Sequence, residues 1–161
     1  MSDSTDYRIE RYKRLLDLSD SEIASSRAIW KLIEPHMGVI IEKFYNHLAR
    51  CGLMGYFDQT DLPKLKLRQL EYWRNLFNGE FRTTHSAHIR KIRIAHLSKN
   101  VGLAEYIAAY YWFAREIFSE IGGLEELSST RINEYLRVVS KIMFLDMIVA
   151  VSVQDDAIVD I

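Results

Sequence analysis

Apolar residues recur along this chain at steps of three and four and nowhere alternate at steps of two, so the pattern predicts helices and no strands. Tyr7 to Leu16 is a short amphipathic stretch. Ser19 with Glu22 makes a capping-box pattern opening a helix that carries Ile23, Ile29, Trp30 and Ile33. Pro35 is expected at the start of the next helix, where its missing N–H costs nothing; that helix carries Val39, Ile40, Phe44 and Leu48 and stops at Gly52. Gly52 to Gln59 reads as a loop with one short turn. Asp61 and Pro63 open a helix that ends near Asn78-Gly79, and Thr83 or Thr84 caps one that closes at Asn100 to Gly102. Further helices run from about Leu103 to Ile121, before Gly122-Gly123, and from about Ser129 onward. The expectation is an all-α domain of roughly seven helices with short connections and no internal repeats.

The last two helices are apolar around their whole circumference. Tyr110, Tyr111, Trp112 and Phe113 are consecutive, as are Ile142, Met143, Phe144 and Leu145, and four successive helical positions reach every face. Either the domain wraps these helices itself, or two helices per subunit form a dimer interface; we take the second reading. Val138 to Val153 is not a membrane span, because Lys141 and Asp146 interrupt it and it falls short of roughly 20 apolar residues.

The composition fits one soluble domain of 161 residues, with 48% hydrophobic and 27% charged residues. A formal net charge of −1 with mixed signs argues against a nucleic-acid surface. The single cysteine, Cys51, excludes an internal disulfide and suits a reducing cytoplasm, and the polar, acidic start from Met1 to Asp6 is no signal peptide.

One residue suggests chemistry. Ile89, Ile92 and His96 share a face at helical spacing, which aims an imidazole into the protein. A neutral imidazole in an apolar setting is what a haem iron needs as its proximal ligand. It is equally what a core histidine with a hydrogen-bonded neighbour looks like.

Several further segments bear on that choice: Leu32-Ile33-Glu34-Pro35-His36, Phe44-Tyr45-Asn46-His47-Leu48, Leu76-Phe77-Asn78-Gly79-Glu80-Phe81, Arg93-Ile94-Ala95-His96, and Gly102-Leu103 with Tyr106. In this order and spacing the chain resembles the sensor domain of globin-coupled sensors, the protoglobin-like branch of the globin superfamily, over about residues 15 to 150. The resemblance implies a globin fold with an extra N-terminal helix, and C-terminal helices that form a four-helix bundle in a homodimer. It implies a single sensor globin domain over 1–161: an extension at 1–17, a core at 19–155, and at 156–161 the start of a linker to an output domain.

The resemblance also implies haem b (iron protoporphyrin IX), with His96 as the proximal ligand through Nε2. His85 and His88, on the same helix, are the rival ligands, whereas His36 and His47 match family positions that do not bind iron and are expected beside surface turns. Tyr45 matches the family's distal tyrosine, whose O–H can donate to bound dioxygen and favours it over the less polar carbon monoxide. The helix from Leu62 to Asn78 should cross the distal haem face with Leu65, Gln69, Tyr72 or Trp73, and Leu76 in one stripe. Gln69 breaks that apolar stripe, so its amide should bond a ligand or the Tyr45 hydroxyl, or reach water. Tyr106 should pack on the proximal side. Arg68, Lys91 and Arg93 are candidate propionate partners. After His96 the segment to Leu103 looks two residues longer than the family pattern, and the following Ala104-Glu105-Tyr106 is correspondingly shorter and lacks its proline, which leaves the course of that loop open.

The function so implied is a haem-based oxygen sensor, with no catalysis of its own and with carbon monoxide and nitric oxide as other possible ligands. It would act in the cytoplasm on a C-terminal diguanylate cyclase, histidine kinase or chemotaxis transducer, with no nucleic acid or membrane as partner. The alternatives are a haem-free globin-fold interaction module and a haem enzyme that handles nitric oxide and oxygen.

Overall fold

Among the described residues six α-helices follow one another: α1 (Asp3–Leu15), α2 (Asp20–Arg50), α3 (Leu62–Asn78), α4 (Thr83–Ser98), α5 (Leu103–Gly122) and α6 (Ser129–Ile158). A 3-10 turn, Met54–Tyr56, follows α2. They belong to a computed structural model that describes residues 3–56, 61–79 and 83–158, among which there is no strand. Residues 159–161 of the expected linker lie outside the described residues, as does the end of the loop expected to reach Gln59.

The all-helical expectation holds, with one correction. Pro35 does not begin a helix; it sits inside α2, which runs unbroken for 31 residues. An interior proline removes one backbone hydrogen bond and crowds the preceding turn, at a cost of ~3 kcal/mol. The helix persists because one buried stripe passes through that point without a change of phase. Ile29, Ile33, Met37 and Ile40 are all fully buried, and each buried aliphatic side chain contributes about 1.5–3 kcal/mol.

α2 packs against α3, α5 and α6, and α5 lies along α6. α4 rests on α6 and touches α1. The common core takes Leu76 and Phe77 from α3, Ile117 and Ile121 from α5, and Val139, Ile142 and Leu145 from α6. At the start of α2 the expected capping box is present: Ser19 Oγ accepts from the Glu22 amide, and the Glu22 carboxylate accepts from the Ser19 amide. Lys141 of α6 donates to the same Glu22 carboxylate at 2.8 Å, which ties the C-terminal helix to this cap.

Three helices end alike. Asp17, Gly52 and Asn100 have φ of 51°, 71° and 59°, in the left-handed region. Around each, one amide reaches back five residues and its predecessor reaches back three: Leu18 to Lys13 with Asp17 to Arg14, Leu53 to Leu48 with Gly52 to Ala49, and Val101 to His96 with Asn100 to Leu97. Glycine adopts this state freely, and Asp and Asn adopt it more readily than other side chains.

Each of the two all-apolar quartets leaves one ring outside. Tyr111 is 67% exposed and Phe144 61%, while their neighbours in the quartets are buried. No helix among the described residues is long and apolar enough to cross a membrane.

Candidate functional site

α4 presents Ile89 and Arg93 fully buried, with Ile92 and His96 half-buried beside them. The predicted inward face is therefore present but rotated, and it includes an arginine that the apolar pattern does not reveal. His96 Nδ1 lies 2.8 Å from the main-chain oxygen of Ile92, one turn earlier. A carbonyl can only accept, so the proton of the neutral ring sits on Nδ1 and Nε2 keeps its lone pair. Burial lowers the His96 pKa below the usual histidine value; the bond to Ile92 opposes the shift, and the charge of Arg93 adds to it. The ring is neutral at physiological pH.

Tyr106, at the first turn of α5, meets the imidazole edge to face, with ring centres 5.5 Å apart and planes at 72°. On the same tyrosine ring lies the Arg93 guanidinium, 5.5 Å from its centre, while Nη1 donates to the Val101 carbonyl at 3.3 Å. The loop left open by the sequence is a tight closure on His96 itself: the amides of Lys99 and Val101 both donate to its carbonyl, each at 3.0 Å.

Tyr45 is buried on α2. Its ring packs against Phe44 at 5.4 Å, and the Lys66 ammonium stands 6.0 Å from its centre. Burial pushes its pKa up to about 12, so the hydroxyl remains a hydrogen-bond donor at neutral pH. Leu65 and Gln69 lie half-buried on α3, Leu65 against the core. The contacts thus join His96 to Tyr106 and leave Tyr45, Leu65 and Gln69 on the α2–α3 pair. Of the candidate propionate partners, Arg68 and Lys91 are exposed and Arg93 is buried.

The other histidines differ from His96. His88 is exposed and stacks on Tyr72 at 6.3 Å, and the side chain of His85 lies outside the described residues. His36 pairs with Glu120 at 3.2 Å, and His47 stacks on Trp112 at 6.0 Å with Cys51 Sγ beside it. Both sit within α2: His36 lies in its interior, and His47 in its last turn, beside the turn at Cys51-Gly52. Among the described residues, no three His, Cys, Asp or Glu side chains converge as a metal cage.

The sequence did not reveal the polar cluster next to Tyr106. Asp146 of α6 is fully buried and accepts hydrogen bonds at Oδ2 from Tyr72 of α3 and from Tyr110 of α5, the latter at 3.0 Å. The available signal was an aspartate inside an otherwise apolar helix, which must find donors if it is buried.

The sequence matches the family described as Protoglobin over residues 5–156. In three dimensions the chain is similar to the globin domain of the Geobacter sulfurreducens globin-coupled sensor. The TM-score is 0.81 at 18% sequence identity, covering 90% of this chain and 96% of that one, and this shows a shared globin fold. No curated protein matches the chain.

Proposed function

The chain belongs to the protoglobin family, and on that premise we propose that it is a haem-bearing gas sensor for which dioxygen is the signal. The observation that carries the reading is the His96 ring, half-buried, with Nδ1 committed to Ile92 and Nε2 left as a lone-pair donor. That donor set suits an iron porphyrin, in which the macrocycle supplies four ligands and the protein one. In this reading His96 would hold the iron of haem b, with Tyr106 packed against the imidazole. Ferrous haem supplies a coordination position at which a diatomic gas binds.

Tyr45 is the proposed donor at that position, because its buried hydroxyl holds its proton. A fixed O–H in a dry setting favours a ligand that gathers negative charge, and therefore dioxygen over carbon monoxide. Leu65 and Gln69 are assigned to the same distal side. We further assign Tyr111 and Phe144, the exposed rings of α5 and α6, to a homodimer interface. Output through α6 to a diguanylate cyclase, histidine kinase or chemotaxis domain completes the reading. It is a binding and regulatory role without catalysis by this domain.

The visible spectrum of the purified protein, produced with ample haem, tests the proposal. A Soret band present in the unmodified chain and lost in His96→Ala, with helicity retained, supports it. Colourless protein would overturn it in favour of a haem-free interaction module.

A further inference from the structure

Burying a carboxylate costs several kcal/mol unless donors surround it, so a fully buried aspartate marks a place where geometry is tightly specified. Asp146 is such a residue, and one of its oxygens receives hydroxyls from two different helices, Tyr72 of α3 and Tyr110 of α5. The Tyr106 hydroxyl adjoins that of Tyr72, and its ring centre lies 6.2 Å from that of Tyr110. Burial, reinforced by the charge of Asp146, raises the pKa values of all three phenols, so they remain O–H groups throughout the physiological range. Tyr106 in turn meets His96 edge-on at 5.5 Å. An unbroken chain of contacts therefore runs from α6 through α3 and α5 to the imidazole.

Two donors aimed at one buried oxygen have a single arrangement that satisfies both. Sliding α6 along α3 and α5 would break both bonds, so the junction favours discrete positions over gradual drift.

We propose that Asp146 is a positioning residue for His96: it fixes Tyr72 and Tyr110, through them Tyr106, and so the plane in which the imidazole stands. The proposal rests on the reading of His96 as the iron ligand and adds the point on α6 to which that ligand is connected. A change of ring orientation at His96 is then felt at Asp146, in the middle of the helix assigned to the dimer, and a shift of α6 is felt at the ring.

The test uses the full chain as Asp146→Asn and as Tyr72→Phe, with Ser26→Ala as the control. Ser26 makes an equally buried bond, from Oγ to the Phe77 carbonyl at 2.5 Å, between α2 and the end of α3. Its loss weakens the fold without touching the cluster. The readouts are the ring nitrogen and carbon-bound proton signals of His96 in long-range proton–nitrogen NMR, identified by their absence in His96→Gln, and the iron–histidine stretching frequency in ferrous haem-loaded protein. Asp146→Asn and Tyr72→Phe should displace both, while Ser26→Ala leaves both in place. If Asp146→Asn does not fold, Tyr72→Phe, which removes one oxygen from the same chain, carries the test alone. His96 signals that stay put in a folded variant overturn the inference. The NMR signals are read without haem as well, so a colourless parent protein overturns the sensor reading, whereas an immobile ring overturns this one.

Discussion

The imidazole of His96 donates its Nδ1 proton to the carbonyl of Ile92 one turn earlier in α4, across 2.8 Å, and this single bond decides which nitrogen remains available. It also has a consequence for stability in haem-free protein. Burial lowers the folded-state pKa of His96, while the unfolded chain takes up its proton near the ordinary value of about 6.5. Between those two values the unfolded state binds more protons. The contribution is therefore complete above the unfolded value and is lost as pH falls through the folded one. Urea midpoints measured from pH 8 to pH 5 should fall more steeply for the parent than for His96→Gln. Parallel curves would show that the ring titrates as it does in water.

Tyr45→Phe removes one buried hydroxyl and keeps the ring that packs on Phe44. A hydrogen bond to a charged acceptor is worth about 1.5–3 kcal/mol, so oxygen should leave the ferrous variant about tenfold to a hundredfold faster. Carbon monoxide release should change far less. Stopped-flow dissociation measures both, and equal effects on the two gases would remove Tyr45 from the distal role.

Tyr111 and Phe144 together form the test of the dimer. A charge placed at a desolvated interface disfavours association by several kcal/mol, while the same charge on an exposed surface is nearly neutral. Tyr111→Lys and Phe144→Glu should each turn a dimer into a folded monomer in sedimentation velocity. A parent that already sediments as a monomer at tens of micromolar would contradict the assignment.

Glu22 accepts from the Ser19 amide, the Ser19 hydroxyl and the Lys141 ammonium at once. Burial alone would raise its pKa, but these hydrogen bonds outweigh that effect and pull it below the ordinary 4.5. Its contribution is present above that value and lost as pH falls through the lowered one. Glu22→Gln keeps an acceptor for the Ser19 amide but loses the charge that pairs with Lys141, and should cost up to about 1 kcal/mol at neutral pH. The gap between variant and parent should close in acid. A gap of constant size across pH would mean that the charge plays no part.

How far the sequence reveals this protein depends on what each residue type advertises. The helices are legible because their apolar positions repeat, and so is the capping box, because Ser and Glu at that spacing have few other uses. Pro35 misled because its local rule is real, and only the uninterrupted burial of Ile33, Met37 and Ile40 around it overrules that rule. His96 could be picked out, since its neighbours at helical spacing are apolar. Arg93 could be named as a candidate propionate partner but not as a buried residue, because a charged residue reads as solvated until the structure places it under Tyr106 at 1% exposure. Asp146 was visible only as an interruption in a greasy run; its tyrosine partners lie 74 and 36 residues away in sequence, and no local pattern connects them.

Asp17, Gly52 and Asn100 are three different letters written at corners of the same shape. What stops each helix there is the handedness of one peptide unit, and several side chains can spell it. Substitutions among them should pass almost unnoticed by the architecture, so chains of this kind can drift apart in text while turning at the same milestones. Where such sequences are laid side by side, the corners deserve to be matched by backbone angle and not by letter.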